Sequence, residues 1–292
     1  MSEYIEGLKA AGKLRDVFDK SGGFKVGNAS FGDSNVTLIS GPCSVESRES
    51  FISQALALES MGTHILRGGA FKPCTYPVRE ALPSGWKEGI GFEGLEIMKY
   101  ASEKTGLPVV TEIMDHQTIE RALPYIDMVQ VGTRNAQNYT LLDELGRAGI
   151  PVLLKRGTWM TVDEILGAVE RIYSHGNFQV AVCLRGVVGA PSYRHVWPSV
   201  RWAPDLMMIA ALKELCPRLP VVYDPSHACG KRDFVGPMAI AAIAAGADGL
   251  IIESHPDPAN SISDPDQAVT LETLGKILEK ARAAYEIRWK YR

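Results

Sequence analysis

Five cationic side chains, Arg67, Lys72, Arg134, Lys155 and Arg185, stand at or just beyond the ends of short apolar runs in a chain of 292 residues. Taken singly, each reads as a solvated surface group. Gathered at one mouth, like charges repel unless an anion lies between them, so the set points to a small polyanion carrying phosphate and carboxylate groups. A second set mixes soft and hard donors. Cys43, His227, Glu253 and Asp264 offer a thiol, an imidazole and two carboxylates. That is the composition of a divalent transition-metal site, in which sulfur and nitrogen select against magnesium and calcium. The spacing matches no compact zinc motif. A buried structural thiol is the alternative for Cys43, and His255, Cys229 and Cys74 are rival donors.

Both sets need elements that bring distant residues to one rim. Eight β-rich apolar runs, at 36–40, 64–67, 108–111, 128–131, 151–155, 179–184, 220–223 and 249–253, alternate with segments of helical periodicity. Such alternation predicts parallel βα units rather than hairpins. Phe51, Ile52, Ala55, Leu56 and Leu58 recur at helical spacing before Gly62. Thr161 and Glu164 form a capping-box pattern ahead of another helix, which ends near Gly176. Pro237 reads as a first-turn proline opening an Ala/Ile run to Gly246.

An open doubly wound sheet collects its ligand at one switch point, whereas a barrel draws site residues from many strand ends. Here Cys43, Arg67, Glu112, Arg134, Lys155, Arg185, His227 and Glu253 trail the successive runs, so the expectation is one closed α/β barrel over 36–292. Residues 1–35 read as an extension made of a helix and a glycine-rich hairpin, the hairpin plugging or flanking the barrel bottom. An added regulatory domain is not expected on this reading. Long connections at 71–92 and 186–202 belong to the catalytic face.

Composition narrows the function classes. With 46% apolar and 22% charged residues the chain is globular, and a net charge of -3 gives no basic field for nucleic acid or an anionic membrane. The five cysteines are scattered, with no CxxC pair, which suits free thiols in a reducing cytoplasm. The N-terminus lacks the apolar run of a secretory signal, and no run of about 18 apolar residues appears anywhere.

Six ordered segments carry a resemblance: VTLISGPCSVES at 36–47, ILRGGAFKP at 65–73, VGTRNAQN at 131–138, PVLLKRG at 151–157, DPSHACGKRD at 224–233 and ADGLIIESHPDPANSISDPDQ at 247–267. Together they resemble the 3-deoxy-D-arabino-heptulosonate 7-phosphate (DAHP) synthases, in the microbial subgroup related to 3-deoxy-octulosonate 8-phosphate synthase. The resemblance implies a (β/α)8 TIM barrel that joins phosphoenolpyruvate (PEP) to an aldose phosphate and releases inorganic phosphate. It implies that Arg67, Lys72, Arg134, Lys155 and Arg185 bind PEP. By the same carry-over Cys43, His227, Glu253 and Asp264 hold a divalent ion, manganese, iron, cobalt or zinc. Cys43 further implies the metal-dependent branch, since octulosonate synthases without metal carry Asn there. Lys72, Glu112 and His227 become the catalytic candidates. Glu112 matches a carboxylate near the attacking water, with charge balance for Lys155 or Arg134 as the other reading. A homo-oligomer, dimer or tetramer, is implied as well.

The departures fall on the acceptor side. Where the family usually reads KPRTS, this chain has Lys72, Pro73, Cys74 and Thr75, and a thiol cannot replace the guanidinium fork. After the sixth run, Arg185 and Gly186 lead into VVGAPSYRHVWPSVRW in place of a short IRTFE-like stretch. Cys74, Thr75, Arg194 and Asp224 are therefore the acceptor-side candidates. Arg194, His195 and Arg201 offer a replacement anion site; Trp197, Trp202, Trp86 and Tyr76 either wall a less polar one or pack the loop down. The expected acceptor is an aldehyde altered from erythrose 4-phosphate, in a specialised pathway rather than shikimate supply. A true DAHP synthase with a rebuilt acceptor site, an octulosonate-phosphate-type synthase and a catalytically silent barrel acting as a binding or regulatory subunit are the alternatives.

Overall fold

A two-stranded antiparallel hairpin, β1 (Phe24–Val26) and β2 (Ala29–Phe31), precedes eight parallel strands in this computed structural model, which describes residues 6–7, 16–32, 35–73, 88–189, 196–200 and 202–290. The parallel strands are β3 (Thr37–Gly41), β4 (Ile65–Arg67), β5 (Val109–Glu112), β6 (Met128–Val131), β7 (Val152–Lys155), β8 (Val180–Leu184), β9 (Val221–Tyr223) and β10 (Gly249–Glu253). Each pairs with the next in chain order, and β10 pairs with both β9 and β3. The sheet is thus a closed (β/α)8 barrel, and every predicted run is one of its strands.

The helices follow local signals. In α1 (Arg48–Ser60) the Ser47 hydroxyl accepts the Ser50 N–H, and the chain turns out at Met61 and Gly62. Outside the strands lie α2 (Phe92–Thr105), α3 (His116–Ala122), α4 (Tyr139–Ala148), α5 (Val162–Tyr173), α6 (Met207–Leu215), the short α7 (Pro225–Cys229), α8 (Arg232–Ala245) and α9 (Leu271–Lys290). The Thr161–Glu164 capping box opens α5 as predicted. Pro237 corrects an expectation. It lies inside α8, which begins at Arg232. As the sixth helical residue it forgoes the bond to the Asp233 carbonyl.

Strand periodicity separates two cores. Leu38, Leu66, Val109, Val129, Leu154, Val182, Val221 and Ile252 point outward beneath the helices. Ile39, Ile65, Val110, Met128, Leu153, Ala181, Cys183, Val222 and Ile251 point inward, and the hairpin residues Phe24, Val26, Ala29 and Phe31 pack onto them. The rings of Phe24 and Phe31 stack with centroids 4.8 Å apart. The hairpin also touches Pro108 and Pro220, just before β5 and β9, and the Thr37 hydroxyl donates to the Ser30 carbonyl. It therefore closes the N-terminal end of the barrel. Burying Phe31 there contributes roughly 1.5–3 kcal/mol.

Candidate active site

Two residues beyond the apolar inward layer, seven of the eight parallel strands present their next inward side chain, β3 having Gly41 there. Ile65 is followed by Arg67, Val110 by Glu112, Met128 by Gln130, Leu153 by Lys155, Cys183 by Arg185, Val222 by Asp224 and Ile251 by Glu253. A layer of charge thus lies directly on a layer of hydrocarbon. Above it opens a cavity of about 540 Å³, lined by Cys43, Arg67, Lys72, Glu112, Gln130, Arg134, Lys155, Trp159, Arg185, Trp202, His227 and Asp264 among others. The barrel brings both sequence-predicted sets to one mouth.

Donor atoms of Cys43, His227, Glu253 and Asp264 all lie within 4.8 Å of one another. Cys43 reaches this point because β3 ends at Gly41, where φ is 149° and a Cβ would stand 1.9 Å from the Arg67 carbonyl oxygen. His227 is set by Asp224, whose Oδ1 accepts the His227 backbone N–H at the start of α7. Asp224 Oδ2 lies 2.8 Å from His227 Nδ1, and Nε2 on the far side of the ring lies 3.7 Å from Glu253 Oε2. Burial moves His227 below its ordinary value, toward the neutral ring that ligates metals. Burial alone would raise Asp224, but the charges of His227 and Lys155 hold its carboxyl well below the usual range.

The remaining donors are equally constrained. Glu253 Oε2 accepts from Gln267 Nε2 at 2.7 Å, while its buried Oε1 has no hydrogen-bond partner. Lys72 Nζ sits 2.7 Å from Cys43 Sγ and 2.6 Å from Asp264 Oδ2. Burial, with Glu253 beside it, pushes the Cys43 thiol up to about 12. Asp264 is the one non-glycine residue with positive φ among those described, at 52°. A thiol, an imidazole nitrogen fixed by a carboxylate, and a buried carboxylate oxygen lacking a partner make a donor set that fits a first-row transition ion. The rivals lie elsewhere: His255 faces Glu46, and Cys229 Sγ contacts the Phe234 carbonyl.

The cations correct the premise of unpaired charge. Arg67 Nη1 lies 3.7 Å from Glu253, Lys72 pairs with Asp264, and Lys155 Nζ is 2.6 Å from Asp224 Oδ2. Arg185 donates to the Thr133 hydroxyl and the His227 carbonyl, and Arg134 to the Pro73 carbonyl. Each strand-end cation is therefore held in place from within, a preorganised cradle rather than a repelling ring. Asp224, an acceptor-side candidate, is 1% exposed, with its carboxylate against Lys155 and His227.

Glu112 faces the cavity and accepts from Gln130 Nε2 at 3.1 Å. Its carboxyl is raised above the ordinary value, chiefly by burial, against the pull of Lys155 and Arg67. Gly132 makes this possible, since a Cβ there would stand 1.9 Å from Glu112 Oε1. Gln130 and Gln267 escaped the sequence reading. Gln130 was within reach of it, two residues beyond Met128 on the inward face; Gln267 carries no periodic signal. Of the loop aromatics, Trp202 lines the cavity with the Arg185 guanidinium 5.6 Å from its ring, whereas Trp197 packs on Phe234. Cys74, Thr75, Tyr76, Trp86, Arg194, His195 and Arg201 lie outside the described residues.

A family model described as the DAHP synthetase I family matches residues 21–286. The chain belongs to that family. It is 38% identical over 261 residues to the phospho-2-dehydro-3-deoxyheptonate aldolase of Thermotoga maritima, covering 89% of this chain and 72% of the relative. It is 30% identical over 272 residues to the 2-dehydro-3-deoxyphosphooctonate aldolase of Syntrophotalea carbinolica, covering 89% and 94%. The crystal structure of the Thermotoga maritima DAHP synthase superposes with a TM-score of 0.83 at 34% identity, over 93% of this chain and 75% of that one. A truncated form of the enzyme gives 0.81 at 33% identity, over 94% and 96%. DAHP synthetase I proteins condense PEP with an aldose phosphate, and a barrel whose charged layer surrounds one cavity is the frame for that chemistry.

Proposed function

We propose that this chain is a metal-dependent synthase joining C3 of PEP to the carbonyl carbon of an aldehyde. The observation that carries the reading is the meeting, around one cavity, of five cations with a four-donor thiol, imidazole and carboxylate cluster. Arg67, Lys155, Arg185, Arg134 and Lys72 bind the phosphate and carboxylate of PEP, the arginines through forked contacts. Cys43, His227, Glu253 and Asp264 hold a divalent ion, which supplies Lewis-acid polarisation of the aldehyde carbonyl.

The chain's own groups carry the proton traffic. As C3 of PEP attacks, the carbonyl oxygen gains charge, and Lys72 Nζ, next to Asp264 and Cys43, delivers the proton that makes it a hydroxyl. Water then adds to C2, and Glu112, raised toward the working range of an acid–base group, takes the water's proton. The hemiketal phosphate then collapses: the C2–O bond to the phosphate group breaks, the C2 hydroxyl passes its proton to the departing inorganic phosphate, and the 2-keto acid remains. Asp224 takes no part in bond making; it orients Lys155 and His227.

Cys74 in place of the usual arginine, together with the rebuilt segment after β8, supports an aldehyde other than erythrose 4-phosphate. The aromatic wall at Trp159 and Trp202 fits the same reading. Likeness to an octulosonate-type relative favours a five-carbon aldose phosphate as the second candidate. A homo-oligomer and a reducing, cytoplasmic setting complete the proposal, the latter supported by the thiols of Cys43, Cys183 and Cys229. No described helix is long and apolar enough to cross a membrane. Phosphate release from PEP with a panel of aldehydes, with and without EDTA, tests the reading. The expected result is EDTA-sensitive release with one acceptor preferred over erythrose 4-phosphate. No release with any aldehyde in the presence of metal would leave a silent binding barrel.

A further inference from the structure

We infer that Glu46 is a positioning residue that holds the loop after β10 so that Asp264 meets Cys43. The inference rests on the proposed metal set and adds to it a residue outside that set. Glu46 Oε1 accepts the Ile262 backbone N–H at 2.8 Å and faces the Ser261 hydroxyl at 3.4 Å. Its Oε2 lies 3.4 Å from His255 Nε2. The Asp257 N–H donates into His255 Nδ1, so Nε2 carries the hydrogen and is the donor to Glu46. One carboxylate three residues after Cys43 thus gathers both limbs of a loop more than 200 residues away in sequence.

The loop needs such a tether. Asp264 adopts a left-handed backbone at φ 52°, a conformation Asp tolerates better than most residues with a Cβ but one that its surroundings help to hold. Ile262 stands two residues before it, and the Ser263 hydroxyl contacts that of Ser44, one residue after Cys43. The strand end carrying the thiol and the loop carrying the fourth ligand are therefore bonded side by side. Their register fixes the distance between Cys43 Sγ and Asp264 Oδ2, 3.1 Å here. Without Glu46, Asp264 relaxes out of the left-handed region and leaves the other three donors behind.

Binding of Co²⁺ alone, by competition with a chromogenic chelator, tests this without turnover. Glu46→Ala is expected to weaken Co²⁺ binding by about 10-fold or more, as loss of an outer hydrogen-bond partner does at other metal sites. The melting temperature of the metal-free chain and the thiolate-to-cobalt absorption at saturation stay as in the wild type, while the ligand-field bands change. The Ile262 amide exchanges faster with solvent. Glu46→Asp, too short to reach Ile262, behaves like Glu46→Ala and decides the matter if that variant does not fold. Glu46→Gln keeps an acceptor for the Ile262 N–H and restores most of the affinity. Wild-type affinity in Glu46→Ala or Glu46→Asp overturns the inference while leaving the metal set intact; so does a Glu46→Gln as weak as Glu46→Ala, which assigns the effect to charge. No Co²⁺ binding by the wild-type chain overturns the metal set and this inference with it.

Discussion

Asp224 Oδ2 lies 2.8 Å from His227 Nδ1, and the same oxygen lies 2.6 Å from Lys155 Nζ. One buried carboxylate thus governs a side chain of the donor cluster and a side chain of the cation cradle. Asp224→Asn keeps the shape and removes the charge. Metal affinity is expected to fall by about 10–100-fold, and PEP affinity to fall with it, because both partners lose the anion that orients them. Separate titrations with Co²⁺ and with PEP check this; loss of one affinity alone would contradict the shared role.

Cys43→Ala removes the sulfur donor and leaves three. Catalysis is expected to drop below detection in metal-supplemented assays while the barrel folds as before, since a buried thiol of this size packs like a small apolar group. Metal content after dialysis, measured beside circular dichroism, separates the two effects. Undiminished metal content would refute the ligand assignment.

Glu112 ties stability to pH in a stated direction. Its folded-state carboxyl is raised above 4.5, with burial the leading cause. Below that value it is neutral in both folded and unfolded chains. As pH climbs, the unfolded chain gives up the proton first, so stability contributed by the protonated form is lost until pH has passed through the raised value. Glu112→Gln cannot ionise and escapes this loss. The melting temperature of the variant relative to the wild type is expected to rise from pH 4.5 toward neutrality; a difference independent of pH would argue against a raised carboxyl.

Gly132→Ala places a methyl group where Glu112 Oε1 now stands, 1.9 Å from the ideal Cβ position. Glu112 must swing away from Gln130. The expected cost is about 1–3 kcal/mol in stability by overpacking, and kcat falls more than the affinity for PEP changes. Steady-state kinetics alongside denaturant melts check the pair; unaltered kcat would remove Glu112 from the chemistry.

Restoring Arg at position 74 addresses the acceptor. Cys74→Arg is expected to improve kcat/KM for erythrose 4-phosphate, because a guanidinium regains the forked contact that a thiol lacks. Unchanged preference would assign selectivity to the segment after β8.

Much of this architecture was readable from the chain itself. Strands with both faces covered need apolar side chains on each, so all eight appear as short β-rich runs, and the polar residue at each end marks the rim. Gln130 lay within the same logic, since Met128 fixes which residues of β6 face inward. What stayed hidden is pairing across distance. Lys155 and Asp224 are 69 positions apart, Lys72 and Asp264 are 192 apart, and no local pattern links them. The cations therefore read as unpaired. Pro237 misled because a first-turn preference is a tendency, and the segment before it was able to form a turn of helix.

The hairpin at the foot of the barrel has a consequence for traffic. With Phe24, Val26, Ala29 and Phe31 corking one end, the described part of the chamber is closed at its foot. Arg67 and Lys155 are almost wholly buried at its inner end, so a molecule held against them would be overlaid by any partner that settled nearer the rim.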